Sequence, residues 1–250
     1  MMLYLFSFAQ CKKWLKNSQH PFPVALFRLI SFIRCFELPL PKWCQSTLYS
    51  LHQILTTLWC YFINFFYYLP AFKGRLHCYG KRTLLDNGLP FFSGPLVMSI
   101  GNDCRISGKT TFSGRTDSTN PTLTIGDNVD IGWQTTIAVG DKIIIGNNVR
   151  IASQGFLCGY PGHPIDPHLR AQGLADLPQQ IGSIILEDDV WVCTRVTIIG
   201  NVTIGSGSII ATGSMVTKSF PPNTLIAGNP AKAIKKLTYH PSSTHSEDTS

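Results

Sequence analysis

The stretch that decides the fold is LEDDVWVCTRVTIIGNVTIGSGSIIATGSMV, residues 186–216. Within it Leu186, Val192, Ile198, Ile204, Ile210 and Val216 lie six apart without a miss. With Ile, Leu and Val at roughly a quarter of all positions, six consecutive hits in one register have a chance on the order of 10⁻⁴. Four residues after each of the first five comes a β-branched or small residue: Val190, Val196, Val202, Ser208 and Ser214. A period of six does not fit one face of an α-helix, which repeats every 3.6 residues. It fits short strands joined by tight turns, with one aliphatic side chain per repeat pointing inward. Such units stack into a parallel β-helix with coils about 4.8 Å apart. A β-sandwich would give irregular strand spacing instead.

Upstream, Ile125, Ile131 and Ile137 follow the same period, and Ile145, Ile151 and Leu157 follow it in a shifted register. Gly126, Gly132, Gly146 and Gly205 each follow an aliphatic position. Gly or Asn is expected to take the left-handed backbone of the turns. Between Gly159 and Ile184 the period breaks. The segment GYPGHPIDPHLRAQGLADLPQQIG is polar, proline-rich and off register. It reads as a loop pushed out from a rigid wall, where function is commonly carried, and it contains His163.

The first third has a different character. Residues 1–82 hold ten Lys or Arg against one acid, Glu37, whereas residues 83–250 hold eleven bases against thirteen acids. This asymmetry points to an anionic membrane surface rather than nucleic acid, because a nucleic-acid binder is usually basic on its folded module. No Asp, Glu, Lys or Arg occurs from Trp43 to Phe72. Leu48–Leu69 is 22 residues, long enough to span a bilayer, but it contains His52, Gln53, Thr56, Thr57 and Asn64 and is rich in aromatics. Three placements remain open: on the membrane surface, across it, or docked on the protein's own core. Lys12, Lys13, Lys16, Arg28, Arg34, Lys42, Lys73 and Arg75 flank the apolar runs, and five prolines keep the helices short and separate. The opening MMLYLFSFAQCKKWLK puts its apolar run before its charges, the reverse of a secretory signal.

The whole chain of 250 residues has net charge +7, 14% charged residues and mean hydropathy +0.10, which excludes a chain too polar to bury a core. Eight cysteines, at 11, 35, 44, 60, 78, 104, 158 and 193, form no CxxC pair and read as reduced thiols of a cytosolic protein. The expected organisation is a basic, aromatic helical leader over 1–82, a β-helix over 83–237 with an excursion loop at 158–184, and a disordered polar tail over 238–250.

GHPIDPHLR at 162–170, followed by VW, GSMVTK, PPN and GNPAK in that order within 190–232, resembles the hexapeptide-repeat O-acetyltransferases. Among them the chain is most similar to the maltose, galactoside and nodulation-factor acetyltransferases over about residues 95–237. LYSLH, FYYLPAF, GKR and LPFFSG resemble, more loosely, the membrane-proximal leader of capsule and lipopolysaccharide O-acetyltransferases. The resemblance implies an all-β core formed as a left-handed parallel β-helix, a homotrimer, and active sites between subunits. It implies His163 as catalytic base. It implies acetyl-coenzyme A contacts at Thr194, Thr212, Thr217, Lys218, Lys232 and Lys235. Many relatives carry Arg at the last two positions, and Lys keeps the charge without the bidentate fork. Cys193 stands where relatives usually have Gly.

A histidine of near-neutral pKa suits the deprotonation of a sugar hydroxyl, which is otherwise a poor nucleophile toward a thioester. Asp166 is a candidate to orient it, although a loop turn explains that residue as well. The implied reaction is acetyl transfer to a saccharide hydroxyl, with a surface polysaccharide or lipopolysaccharide precursor at the inner face of the cell membrane as the expected acceptor. An amino-sugar N-acetyltransferase and a non-catalytic scaffold are the alternatives. No metal is expected: His163 and His168 have an H-x₄-H spacing, but a third histidine on a neighbouring coil is missing.

Overall fold

A computed structural model describes residues 8–239. The expected tail from His240 and the first seven residues of the opening run lie outside the described residues. By compactness the chain divides into Met1–Thr56 and Thr57–Ser250.

The first unit contains α1 (Phe8–Asn17), α2 (Pro21–Cys35) and the start of α3 (Lys42–Ile63). Prolines at the first and third positions of α2 fit there because the first-turn N–H groups have no intrahelical partner.

The second unit is a parallel β-helix. A π-helical turn, Asn64–Tyr68, leads into α4 (Leu69–Arg75), and Phe72 of α4 is fully buried in the core. The first coil is β1 (Cys78–Tyr79), β2 (Leu84–Asp86) and β3 (Phe91–Ser93); the second is β4 (Val97–Ile100), β5 (Arg105–Ser107) and β6 (Thr111–Gly114). The third is β7 (Thr122–Ile125), β8 (Asp130–Ile131) and β9 (Thr136–Val139), and the fourth is β10 (Lys142–Ile145), β11 (Arg150–Ile151) and β12 (Phe156–Cys158). After an excursion containing α5 (Pro167–Ala171) come β13 (Ile184–Leu186), β14 (Trp191–Val192) and β15 (Thr197–Ile199), then β16 (Val202–Ile204), β17 (Ile209–Ile210) and β18 (Met215–Val216). An isolated bridge at Phe220, then β19 (Thr224–Gly228) and the antiparallel β20 (Ala231–Lys236), close the stack. The first strand begins at Cys78, ahead of the boundary expected at 82/83. Its two residues are exposed and carry none of the aliphatic signal that marks the later coils.

Three sheets form, each taking every third strand up to β18, with β19 and β20 both added to the second: β1-β4-β7-β10-β13-β16, β2-β5-β8-β11-β14-β17-β19-β20 and β3-β6-β9-β12-β15-β18. Their registers align buried columns, of which the longest in each sheet follows the six-residue period. Ile100, Ile125, Ile145, Leu186, Ile204 and Phe220 make the first. Ile106, Ile131, Ile151, Val192, Ile210 and Ile226 make the second. Phe112, Ile137, Leu157, Ile198 and Val216 make the third. All are buried, as are Val190, Val196, Val202, Ser208 and Ser214. Each fully buried aliphatic contributes about 1.5–3 kcal/mol through removal of apolar surface from water.

From the second coil on, the spacing is six from first to second sheet and from second to third. The departures fall at the corner between the third sheet and the first, where the chain runs on from Phe112 to Ile125, from Ile137 to Ile145 and from Leu157 to Leu186. The shifted register seen in the sequence is therefore the same column after a longer corner.

The four named glycines serve a purpose other than the one expected. None has positive φ; at the corners between first and second sheets that conformation belongs to Asp103, Asn128, Asn148, Asp189, Gly207 and Asn223. Asn and Asp tolerate the left-handed region because their side chains bond locally. The residues just before them tie coil to coil: Asn102 N–H donates to Asp127 Oδ1 (2.6 Å), Asp127 N–H to Asn147 Oδ1 (2.8 Å) and Asn147 N–H to Asp188 Oδ1 (2.7 Å). The glycines admit the neighbouring coil. A Cβ on Gly146 would sit 2.5 Å from Asp188 Oδ1 and 2.8 Å from its backbone nitrogen. Gly146→Ala is expected to cost about 1–3 kcal/mol through overpacking, read as a lowered midpoint in denaturant unfolding.

Candidate active site

The functional residues expected from the sequence fall at two corners of the coil stack and on its closing strand, β20. Thr194 and Thr212 occupy the corner between second and third sheets on successive coils. There Gly213 N–H donates to Thr194 O at 3.0 Å and stacks one threonine turn on the other. Ala211 N–H donates to Ile226 O at 2.8 Å, so β19 continues this wall. Thr217 and Lys218 follow β18 and are exposed. Lys232 pairs across the sheet with Ala227, and Lys235 with Leu225. A register shift between Leu225 and Ile226 lies between these pairs. Ile226 points into the core and its two neighbours point outward, so the bulge sets Lys232 and Lys235 on one face of the sheet edge. The threonine corner and the paired lysines thus share the C-terminal end of the second sheet, while Thr217 and Lys218 lie at the corner between the third sheet and the first. Two cations on one face suit a phosphate-bearing ligand lying along the threonines.

His163 belongs to the third corner. The excursion leaves after β12 and returns at β13. Gly182 N–H donates to Gly159 O at 2.7 Å, pinching the stem. His163 is exposed and makes no hydrogen bond among the described residues. Pro164 beside it is buried, and Arg170 of α5 donates to the carbonyls of Pro164 (2.9 Å) and Ile165 (3.0 Å), fixing the backbone that carries the imidazole. Asp166 caps α5, its Oδ1 accepting from His168 N–H at 2.7 Å, and does not bond His163. The turn explains Asp166.

The residue pair that sequence reasoning missed is Arg115 with Asp176. Arg115 Nε donates to Asp176 Oδ1 at 2.8 Å and Arg115 Nη2 to Asp176 O at 2.8 Å; the side chains are 7% and 4% exposed. Asp117 lies 3.8 Å from the same guanidinium. Arg115 sits at the third corner of the second coil and clamps the far arm of the excursion loop to the wall. The signal available in sequence was an Arg at a break in the period, which does not name its partner.

Beside the clamp is an open cleft of about 590 Å³, lined by Asp117, Ser118, Thr119, Asn120, Asp141, Ser183 and Asn201 among others. It is rich in hydroxyl, amide and carboxylate groups, a lining suited to a polyhydroxyl ligand. Within one chain, the width of the third sheet lies between the corner from which the His163 loop emerges and the threonine corner.

The two cysteines nearest these features are unsuited to covalent acyl transfer. Burial pushes the Cys158 and Cys193 thiols up from the ordinary cysteine range, so both are neutral near pH 7. Cys158 Sγ donates to Tyr160 O at 2.9 Å and helps hold the loop stem. Cys35, Cys44, Cys60, Cys78, Cys104, Cys158 and Cys193 are unpaired thiols.

Comparison with known proteins fits this geometry. The family model "Bacterial transferase hexapeptide (six repeats)" matches residues 183–218. An acetyltransferase-like protein of Saccharomyces cerevisiae is 43% identical over 122 residues, covering 48% of this chain and 59% of that one. The galactoside O-acetyltransferase of Escherichia coli K12 is 33% identical over 144 residues, covering 57% and 59%. The matched segment thus spans just over half the length of these relatives. Among solved structures, AntD, an N-acyltransferase from Bacillus cereus solved with dTDP-4-amino-4,6-dideoxyglucose and coenzyme A, superposes with TM-score 0.53 at 25% identity. That superposition covers 67% of this chain and 87% of AntD. An acetyltransferase-like protein of Staphylococcus aureus (strain COL) is 32% identical over 149 residues, 54% of this chain and 72% of its own length. With its three-sided coil stack, its unbroken six-residue columns and that coverage, the chain belongs to the hexapeptide-repeat transferase family.

Proposed function

We propose that this protein is an acetyl-coenzyme A–dependent acetyltransferase that acetylates a saccharide hydroxyl. The observation that carries the reading is an exposed histidine on a clamped loop at a break in the repeat, a loop whose return arm, through Pro178, Ile181 and Gly182, lines a polar cleft. In this reading His163 takes the proton of the acceptor hydroxyl as its oxygen attacks the thioester carbonyl. The C–O bond forms, the C–S bond breaks, and His163 returns the proton to the leaving thiolate. A backbone N–H stabilises the oxyanion. Thr194 and Thr212 line the pantetheine path, Thr217 and Lys218 flank its end, and Lys232 with Lys235 takes the 3′-phosphate. The cleft beside Asp117 and Ser118 takes the acceptor. Because the loop's corner and the threonine corner are a sheet's width apart in one chain, we assign the complete site to two copies within a homotrimer.

Titration of acetyl-coenzyme A into the purified protein, followed by a panel of sugars and amino sugars, tests this. Saturable binding with ester formation supports it; a folded protein that binds no acetyl-coenzyme A rejects it in favour of a scaffold. AntD acts on an amino sugar by its name and ligand, which favours an amine acceptor as the second reading. Amide products alone in the panel would select that reading. In the same titration, Lys232→Ala/Lys235→Ala is expected to weaken acetyl-coenzyme A about tenfold while changing 3′-dephospho-acetyl-coenzyme A by less than about threefold. Equal losses for both ligands would remove these lysines from the 3′-phosphate.

A further inference from the structure

The leader helices show apolar faces that nothing in their own unit covers. At about 100° per residue, Phe22, Leu26, Leu29 and Ile33 of α2 fall within an arc of about 60°. They are 77%, 37%, 54% and 65% exposed. The opposite side of α2, through Pro23 and Phe27, is the less exposed one. Arg28 and Arg34 lie about 120° to either side of the exposed arc, where long stems reach along an apolar surface and keep the guanidinium in a polar layer. In α3, Leu48, Leu51, Ile54, Leu55, Leu58, Trp59 and Phe62 share an arc of about 140°, all at least 49% exposed. The complementary arc holds Tyr49, Ser50, His52, Gln53, Thr56 and Thr57, with Lys42 on the same side at the start of the helix. No residue of α3 is buried.

We propose that α2 and α3 are interfacial helices that seat this protein on an anionic bilayer, with their apolar arcs among the acyl chains. The occupant is a lipid surface because charge complements it: ten bases against Glu37 in the first 82 residues, with Arg28 and Arg34 on either flank of α2. Lys42–Arg75 is helical and apolar enough to cross a membrane. Lying flat, however, leaves the α3 polar arc in water, whereas a span puts its imidazole and amide in hydrocarbon.

Vesicle flotation of the full-length protein tests the seat, using phosphatidylcholine with about one third phosphatidylglycerol against phosphatidylcholine alone. The expected result is flotation with the anionic vesicles, reduced at least about tenfold on neutral ones. Leu29→Glu/Ile33→Glu and Leu55→Glu each lower it about tenfold or more, while Gln53→Glu, the same charge on the polar arc, changes it less than about threefold. Four results overturn the proposal: no flotation of the parent; equal losses from Gln53→Glu and Leu55→Glu; a smaller assembly on sedimentation with flotation unchanged in the apolar variants, which assigns the faces to a second copy; or resistance of the membrane-bound parent to alkaline extraction, which makes α3 a span. Acetyl-coenzyme A titration of each variant reads the fold and the proposed activity separately, so failure to float with binding intact rejects the membrane seat alone.

Discussion

Replacing His163 by alanine is expected to lower acetyl transfer about 10²–10⁴-fold, the range that a positioned general base supplies. Affinity for acetyl-coenzyme A should change by less than about threefold, because the thioester's 3′-phosphate and pantetheine are assigned to other residues. The measurement is steady-state transfer to the best acceptor of the panel beside calorimetric binding. The side chain makes no hydrogen bond and Pro164 carries the local burial, so the variant should keep its unfolding midpoint. A fall in transfer matched by an equal loss of acetyl-coenzyme A affinity would make His163 a binding residue. Unchanged transfer would remove it from the chemistry. Mixing His163→Ala chains with Lys232→Ala/Lys235→Ala chains adds a readout of subunit sharing. Partial recovery of activity on reassembly supports a site built from two copies; none, with mixed assemblies demonstrated, places both sets of residues in one chain's site.

Asp176→Ala is expected to be the most damaging single substitution in the loop. Arg115 would keep a buried guanidinium without its carboxylate, and breaking a buried pair from one side costs about 3–5 kcal/mol. The bonds at 2.8 Å to Oδ1 and to the backbone carbonyl of the same residue mean that the loss is focused on the excursion loop. Local release of the loop is an alternative to global unfolding, since loops open at lower free energy than the coils. Both are measurable: thermal unfolding for the first, and hydrogen exchange or limited proteolysis over residues 160–181 for the second. If release dominates, transfer falls while acetyl-coenzyme A binding at the other corner persists. Arg115→Met/Asp176→Leu, which removes both charges together, should recover much of the stability. An Asp176→Ala protein with unchanged melting, unchanged protease resistance and full activity would show the clamp to be dispensable.

The two substitutions act at one corner for a common physical reason. The corners flanking the second sheet are fixed by the six-residue period and by coil-to-coil bonds such as Asn147 to Asp188. The third corner is released from that constraint through most of the stack and varies in length. Extra residues there produce the turn bearing Arg115, the Asp141 corner and the His163 loop. The polar cleft is lined by these insertions.

The coil stack was legible from local pattern alone. An inward aliphatic every six residues is a local, repeated requirement, so each repeat carries its own evidence, and every named column residue is buried. The loop and His163 were legible for the converse reason, as the place where the period stops and a known motif stands. The roles of Gly126, Gly132, Gly146 and Gly205 were not legible, because glycine is permitted both by positive φ and by close approach, and only the neighbouring coil distinguishes them. Asp166 was equally ambiguous until its carboxylate was seen to cap α5. The Arg115–Asp176 clamp was out of reach because its partners are 61 residues apart and neither obeys a period. The shared face of Lys232 and Lys235 depended on a bulge in β19–β20 pairing, which simple strand alternation would have placed on opposite sides. Periodic burial is written into every repeat of the chain. Long-range ionic pairing, the choice between two uses of glycine and the parity of an edge strand exist only when distant segments meet, and these the tertiary structure decided.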